Sequence, residues 1–249
     1  MKKILIIGDS CRDVFVYCHA ERLAPDLPVP VLRVIEQTEN PGMAKNVERN
    51  VRAIYPNCDL VTNEGWRKVT KARYVHKNSN HTFIRIDTEP RVPRIDVRSV
   101  PLKKYDLIAI SDYNKGFLEE ADIKYICEKH KNVFIDTKKM LGPWANRAKF
   151  IKINNYEYER SKPFITKILK NKVIYTKGDR GAYYKGENYP VKEKVEVKDV
   201  TGAGDSFFAA LIVKYLETAD IEKAIAFANE CASEIVQHKG VTIIQKSLT

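Results

Sequence analysis

Short β-branched runs alternate along this chain with stretches in which apolar residues recur every three or four positions. That is the pattern of a parallel sheet covered by helices. Strands are expected at 2–8 (KKILIIG), 59–62 (DLVT), 105–111 (YDLIAIS), 132–137 (NVFIDT), 149–154 (KFIKIN) and 172–177 (KVIYTK). Helices are expected at 42–54, 119–130, 156–170, 205–217 and 220–237. In the first, Met43, Val47, Val51 and Ile54 share the face that turns toward the sheet. The last has Asp220 as its N-cap and Gly240 soon after its end. Two segments, 12–36 and 66–88, break the rhythm: they alternate, contain turn residues, and predict antiparallel strands outside the main sheet. Such excursions from an α/β core suggest a small β lid over an active site. With no internal repeat, low-complexity tract or linker, residues 1–249 read as one α/β domain with an appendage.

Composition removes several function classes. Hydrophobic residues make up 44% and charged residues 30%, the balance of a globular protein. Cys11, Cys18, Cys58, Cys127 and Cys231 lie far apart with no CxxC pair, so neither a zinc ribbon nor a redox dithiol is suggested. There is no HExxH, and His76 and His81 read as hairpin or surface residues rather than metal ligands. The apolar stretch in MKKILIIGDS is too short for a signal peptide, and no run is long enough to cross a bilayer. A cytoplasmic, reduced protein is the expectation. The net charge of +11 admits a nucleic-acid face or a lysine-rich solvated surface that favours small anions. Lysines and arginines are spread along the chain, with no tract of five and no aromatic–basic RNA motif, so small anions are expected and nucleic acid is not.

The glycines point to chemistry. Of 11 in the chain, two stand one residue apart in DVTGAGDSFFAAL (199–211), just before an apolar helix. Glycines let backbone approach a ligand closely. The first N–H groups of a helix lack partners and carry the positive end of its dipole, a ready site for a phosphate. Asp205 beside that site can accept a proton from an attacking hydroxyl. An N-capping aspartate on a buried helix has the same spacing, and spacing alone leaves both readings open.

The whole string resembles the C-terminal motif of the ribokinase-type carbohydrate kinases, D-T-x-G-A-G-D-x-F, with the threonine one place later. The resemblance implies a ribokinase-like α/β fold of three layers with a β lid, and transfer of the γ-phosphoryl of ATP, with Mg²⁺, to a sugar hydroxyl. It assigns the general base to Asp205 and the anion hole to Gly202, Ala203 and Gly204. Asp199 and Thr201 match positions that help bind a monovalent cation such as K⁺. Several motifs are closest to one branch, the heptose-7-phosphate kinases: GDSCRDVF with APDLPVPV, PGMAKNV (41–47), TKAR (70–73), FIRID (83–87), SDYNKG (111–116), IDTKK (135–139) and INNYEYE (153–159). Residue by residue, the resemblance implies that Asn154 and Glu157 organise magnesium, through water. Lys138, Thr176, Gly178 and Asn229 border the nucleotide. Asp9, Asp13 and Asn46 contact sugar hydroxyls, and Lys71, Arg73 and Arg85 bind a substrate phosphate.

Two departures bear on the substrate. Related sequences have two glycines in the PGGAANV motif, whereas Gly42 is followed here by Met43, whose side chain reshapes the pocket. Between Ile54 and residue 66 only YPNCDLVTNEG stands where relatives carry an extra strand and helix, so one βα unit is missing and a sheet edge is exposed or covered by a partner. The expected substrate is D-glycero-D-manno-heptose 7-phosphate, phosphorylated at its anomeric hydroxyl, with pairing of two copies through the lid. The alternatives are a kinase of another sugar or nucleoside, and a catalytically silent nucleotide-binding regulator.

Overall fold

The structure, a computed structural model, describes residues 2–79 and 81–245. Its main sheet has eight strands in the order β12 (Glu187–Tyr189), β11 (Ala182–Tyr184), β10 (Val173–Thr176), β9 (Phe150–Asn154), β8 (Val133–Thr137), β7 (Leu107–Asp112), β1 (Ile4–Gly8), β4 (Cys58–Thr62). From β4 to β10 all neighbours are parallel, while β11 and β12 add an antiparallel hairpin at one edge. The hairpin was not expected from the sequence. Its turn residues, Lys185 and Gly186, both take positive φ (52° and 89°), which suits a tight hairpin between twisted strands.

Alternation within the strands builds two cores. Ile4 and Ile6 face one side, with α1 (Ala44–Ile54), α5 (Ala203–Thr218) and α6 (Ile221–Ile235) packed over them. Leu5 and Ile7 face the other, against α2 (Glu120–Lys129), Trp144 and Leu169 of the one-turn α4 (Lys167–Lys170). Strands buried on both faces explain why their sequences read as continuous apolar runs. The helix expected over 156–170 is broken into α3 (Asn155–Ser161), a 3₁₀ turn at Lys162–Phe164, and α4. Pro163 lacks an N–H and clashes with a preceding turn, so the helix stops there. Thr166 then starts α4 by accepting from Leu169 N at 3.3 Å.

The lid is a single four-stranded sheet in the order β3 (Pro30–Met43), β2 (Ser10–Leu23), β5 (Thr70–His76), β6 (Thr82–Thr88). Its two hairpins were expected to be antiparallel, and each is. They are joined, however, by a parallel pairing of β2 with β5. The chain passes from the main sheet into the lid within one residue, Asp9, between β1 and β2. That sharp exit needs Gly8, because a Cβ there would lie 1.8 Å from Ser111 O of the neighbouring strand.

Gly8→Ala is therefore expected to destabilise the fold by about 3 kcal/mol or more, since the clash is with backbone that cannot rotate away. Gly65→Ala, whose Cβ would meet nothing within 4 Å but whose φ is 65°, should cost about 1 kcal/mol. Urea unfolding of the two variants ranks them, and equal losses would contradict the packing described.

Candidate active site

The carboxyl ends of β1, β7, β8 and β9 and the N-termini of α1 and α5 converge on one side of the sheet, where α/β proteins place ligand crevices. Between them the turn 199–204 separates two cavities. One, of about 560 Å³, lies under the lid and is lined by Asp13, Met43, Lys71, Arg73, Tyr113 and Asp205, among others. The other, of about 290 Å³, is walled by Thr176, Gly178, Phe207, Asn229 and Val236, with Ala203 and Gly204 at its edge. Val197 and Val200 border both. Gly202 takes φ 86° at the start of α5, and a Cβ there would press to 3.1 Å from Asn46 Nδ2. The glycine is required both by its conformation and by the closeness of that amide.

Asp205, in the first turn of α5, is 5% exposed and faces the larger cavity. Both of its oxygens are held. Asn46 Nδ2 donates to Oδ2 at 2.9 Å, and the Tyr113 hydroxyl donates to Oδ1 at 2.7 Å. Burial pushes the carboxyl pKa up to about 6, against those two hydrogen bonds, which lower it; the charge of Asp136 raises it further and that of Lys152 lowers it. A buried carboxylate beside a helix N-terminus, with a raised pKa and lone pairs still open toward a cavity, is equipped to take a proton from a bound hydroxyl.

The groups around it are themselves braced. Asn50 donates to Asn46 O at 2.9 Å and accepts from Ser206 Oγ at 3.2 Å and Ile244 N at 3.0 Å. Tyr113 is held at its backbone, where its N–H donates to Asp9 Oδ2 at 2.8 Å. Its ring lies between two ammonium groups, Lys71 at 4.8 Å and Lys138 at 5.1 Å from the centroid. Neither Tyr113 nor Asn50 was singled out from the sequence. Tyr113 stands in SDYNKG, but a tyrosine after a strand gives no hint that its hydroxyl reaches a residue 92 positions away.

Of the residues expected to contact sugar, Asp13 lines the cavity and accepts from Arg73 Nη1 at 2.8 Å. Gly42 makes room for that carboxylate, as a Cβ there would lie 2.1 Å from Asp13 Oδ2. Asn46 instead holds Asp205, and Asp9 is 1% exposed with its carboxylate turned onto the backbone N–H groups of Tyr113, Lys115 and Phe117. Asp9 thus anchors the loop after β7 rather than lining the cavity. Lys71 and Arg73 are on the cavity wall, and burial lowers the Lys71 pKa. Arg85 is turned to Asp87, which it grips through two bonds of 2.7 and 2.6 Å. Met43 is 2% exposed, has φ 59° at the N-cap of α1, and presents its side chain to the same cavity. A bulky residue at such a φ is a backbone outlier.

On the other side, Thr176, Gly178 and Asn229 line the smaller cavity, and Asn229 Nδ2 donates to Tyr189 O at 2.7 Å. Asn154 and Glu157 form a reciprocal cap on α3. Asn154 Oδ1 accepts from Glu157 N at 2.9 Å, and Glu157 Oε2 accepts from Asn154 N at 2.7 Å. Glu157 is also paired with Lys138. Burial alone would lower the Lys138 pKa, but Asp136 and Glu157 outweigh it and the pKa is raised. Asp199 bridges two loops, accepting from Thr201 N at 2.8 Å and Gly240 N at 3.1 Å. No group of three or more His, Cys, Asp or Glu side chains suited to a metal occurs among the described residues. Mg²⁺, however, keeps most of its waters and takes only one or two carboxylates together with substrate phosphates. Asp136 Oδ1, buried and without a hydrogen-bond partner, and Glu157 are acceptors of that kind, so the residues fit a water-clad Mg²⁺.

Comparison with known proteins decides the family. A profile described as pfkB family carbohydrate kinase matches residues 111–247, more than half of the chain. The chain belongs to the pfkB family of carbohydrate kinases. It is 30% identical over 296 aligned positions to the bifunctional protein HldE of Helicobacter pylori strain 26695, covering 96% of this chain and 64% of that protein. It is 27% identical to the HldE of Hydrogenovibrio crunogenus, covering 98% and 61%. The chain thus spans less than two thirds of the length of these relatives. Among solved structures, ribokinase from Thermotoga maritima superposes with a TM-score of 0.76 at 17% identity, covering 100% of this chain and 98% of that one. Phosphofructokinase-2 from Escherichia coli, in complex with potassium, gives 0.73 at 14% identity, covering 100% and 97%. The fold is ribokinase-like. No described helix is long and apolar enough to cross a membrane.

The Asp205 proton is held more tightly in the folded protein than in the unfolded chain. Its contribution to stability is therefore complete below about pH 4 and is lost as the pH rises through about 6. Asp205→Asn should accordingly be more stable than the parent at about pH 8, by up to about 3 kcal/mol, with the gap closing between about pH 6 and pH 4. Urea unfolding across that range measures it. A gap that does not change with pH would contradict the raised pKa.

Proposed function

We propose that the protein transfers the γ-phosphoryl group of ATP to a sugar hydroxyl, and that its substrate is D-glycero-D-manno-heptose 7-phosphate, phosphorylated at the anomeric hydroxyl. The observation that carries the reading is Asp205, a buried carboxylate with a pKa raised to about 6, at a glycine turn where two cavities meet. The sugar occupies the larger cavity under the lid and the nucleotide the smaller one, so that acceptor and phosphoryl donor meet at residues 202–205.

In this reading Asp205 takes the proton of the attacking hydroxyl, while Tyr113 and Asn46 keep its carboxylate in place. Gly202, Ala203 and Gly204 let the phosphoryl group approach the free N–H groups of α5, whose dipole favours the charge it carries. Thr176, Gly178 and Asn229 shape the nucleotide pocket, and Lys138, paired with Glu157 and set over the Tyr113 ring, adds a cation nearby. Glu157 and Asp136, with Asn154 fixing Glu157, would hold the waters of Mg²⁺, which neutralises phosphate charge when bound. A K⁺ ion near Asp199 and Thr201 is part of the same proposal. Positioning and charge stabilisation supply most of the rate in such transfers.

The choice of a phosphorylated heptose is supported by the branch motifs of the sequence and by the cations Lys71, Arg73, Lys198 and Lys239 on the cavity wall, which suit a second phosphate. Arg85, held by Asp87, would have to turn to join them. Met43 favours a second reading, another sugar of different shape, because its side chain occupies the cavity wall. The lid also carries exposed Leu23, Val34, Ile35, Ile84 and Ile86, the apolar surface through which two copies would pair.

The first test is ³¹P NMR of ATP with heptose 7-phosphate, beside unphosphorylated sugars and nucleosides. Signal from the heptose phosphate alone is expected. Signal from another sugar keeps the mechanism and changes the substrate, and ATP binding without turnover on any acceptor sinks the kinase reading. Asp205→Asn should lower turnover by about 10²–10⁴ with ATP affinity retained. Activity should rise with pH along an acid limb near 6. In Tyr113→Phe, which removes a hydrogen bond that lowers the Asp205 pKa, the limb should move to higher pH. An unmoved limb would show that Asp205 is not the titrating base.

A further inference from the structure

We propose that Lys152 is a further catalytic residue, whose ammonium binds the phosphoryl group in transfer at the glycine turn; the proposal rests on the phosphotransfer reading above. Lys152 is the one charged residue in FIKIN, the buried strand β9, and is 3% exposed. Its ammonium donates to Asp136 Oδ2 at 2.7 Å. It also stands against the start of α5, because a Cβ built on Gly204 would lie 3.1 Å from Nζ. Its charge is close enough to Asp205 to lower that pKa.

The simplest alternative is that Lys152 merely neutralises Asp136, a buried pair of the kind that costs about as much as it returns. Two details go beyond that. An ammonium has three N–H donors, and a single carboxylate oxygen satisfies one of them. The neighbour it faces is not an apolar wall but the backbone of Gly204, which is exposed at the edge of the smaller cavity. Gly204 thereby gains a second reason to lack a side chain: a methyl group there would push against the ammonium. Lys152 and the free N–H groups of α5 together form a composite anion site, with a full charge added to the helix dipole.

In the step itself the acceptor oxygen forms a bond to the γ-phosphorus, and the bond from that phosphorus to the β,γ-bridging oxygen breaks. ADP leaves with the electron pair, and the acceptor's proton passes to Asp205. Lys152 exchanges no proton. It balances the charge on the oxygens of the moving group from one side, and Asp136 keeps the ammonium oriented.

Because Lys152→Met alone would strand a buried carboxylate, the decisive comparison is Lys152→Met/Asp136→Asn against Asp136→Asn, with Lys152→Arg beside them. ATP and ADP affinities are measured by calorimetry, turnover on the preferred sugar by coupled assay, and folding by thermal melts. The double variant should bind ATP at least about tenfold more weakly than Asp136→Asn while ADP affinity stays within about twofold, since only ATP carries the group in question. Its kcat should fall by about 10²-fold, with Lys152→Arg between it and the parent. A double variant that loses ATP and ADP affinity equally, or turns over within about twofold of Asp136→Asn, overturns the proposal. If the parent itself transfers no phosphate, the phosphotransfer reading fails instead, and the ATP-over-ADP preference still decides whether Lys152 touches the terminal phosphate.

Discussion

A carboxylate buried at the N-terminus of α5 imposes more on this molecule than any other single group. Taking Asp205 out of water is unfavourable unless donors meet it. The donors come from two distant parts of the chain, Asn46 on α1 and Tyr113 after β7. Each donor then needs its own support. Asn46 leans on Asn50, which also receives Ser206 and the backbone of Ile244, so the C-terminal segment is tied to the same point. The loop bearing Tyr113 hangs on Asp9, the residue at which the chain leaves the main sheet for the lid. Positioning Asp205 therefore couples the root of the lid, the loop after β7, α1 and the chain's last described segment.

Charge is distributed in the same spirit. The acids at the strand ends are each met by a lysine: Asp112 by Lys139, Asp136 by Lys152 and Glu157 by Lys138. These pairs keep the crevice near neutrality before any phosphate enters. Lys71 and Lys239, under the lid, line the larger cavity without a carboxylate partner among the described residues. An excess of positive charge under the lid, together with compensated charge beneath it, favours ligands that carry negative charge.

Much of this was legible in the sequence, for identifiable reasons. The central strands announced themselves because burial on both faces makes them continuous apolar runs, as in ILIIG and LIAIS. The glycine turn was legible because close approach leaves no room for a side chain, a constraint that acts at single positions. What was not legible depended on partners far along the chain. The helix over 156–170 looked periodic, and only Pro163 warned of the break. The parallel joint between lid hairpins has no local signature, since each hairpin satisfies its own pattern. Asp9 and Asn46 were expected at the sugar from the family resemblance, yet both are engaged in holding other protein groups. A lysine inside FIKIN was the one available hint of Lys152, as charged residues are almost never buried without a task.

The shortness of the chain fits this division of labour. The alignments to the Helicobacter relatives run to 296 and 302 positions against 249 residues here, so the relatives carry segments that this chain lacks. The connection between α1 and β5 is short and holds β4, which is the edge strand beyond β1. The Asp136–Lys152 and Glu157–Lys138 pairs and the glycine turn stand instead beside β8 and β9 and at the start of α5, away from that edge. An edge can be trimmed while β1 keeps its partners on both sides, and β4 remains fastened through Asp59 to Lys3 and Tyr105. Change at that edge reaches the lid through β5 and, because α1 packs against both β4 and α5, it also reaches the Asn46–Asp205 contact, whereas β8 and β9 are set apart from it by two intervening strands, β1 and β7.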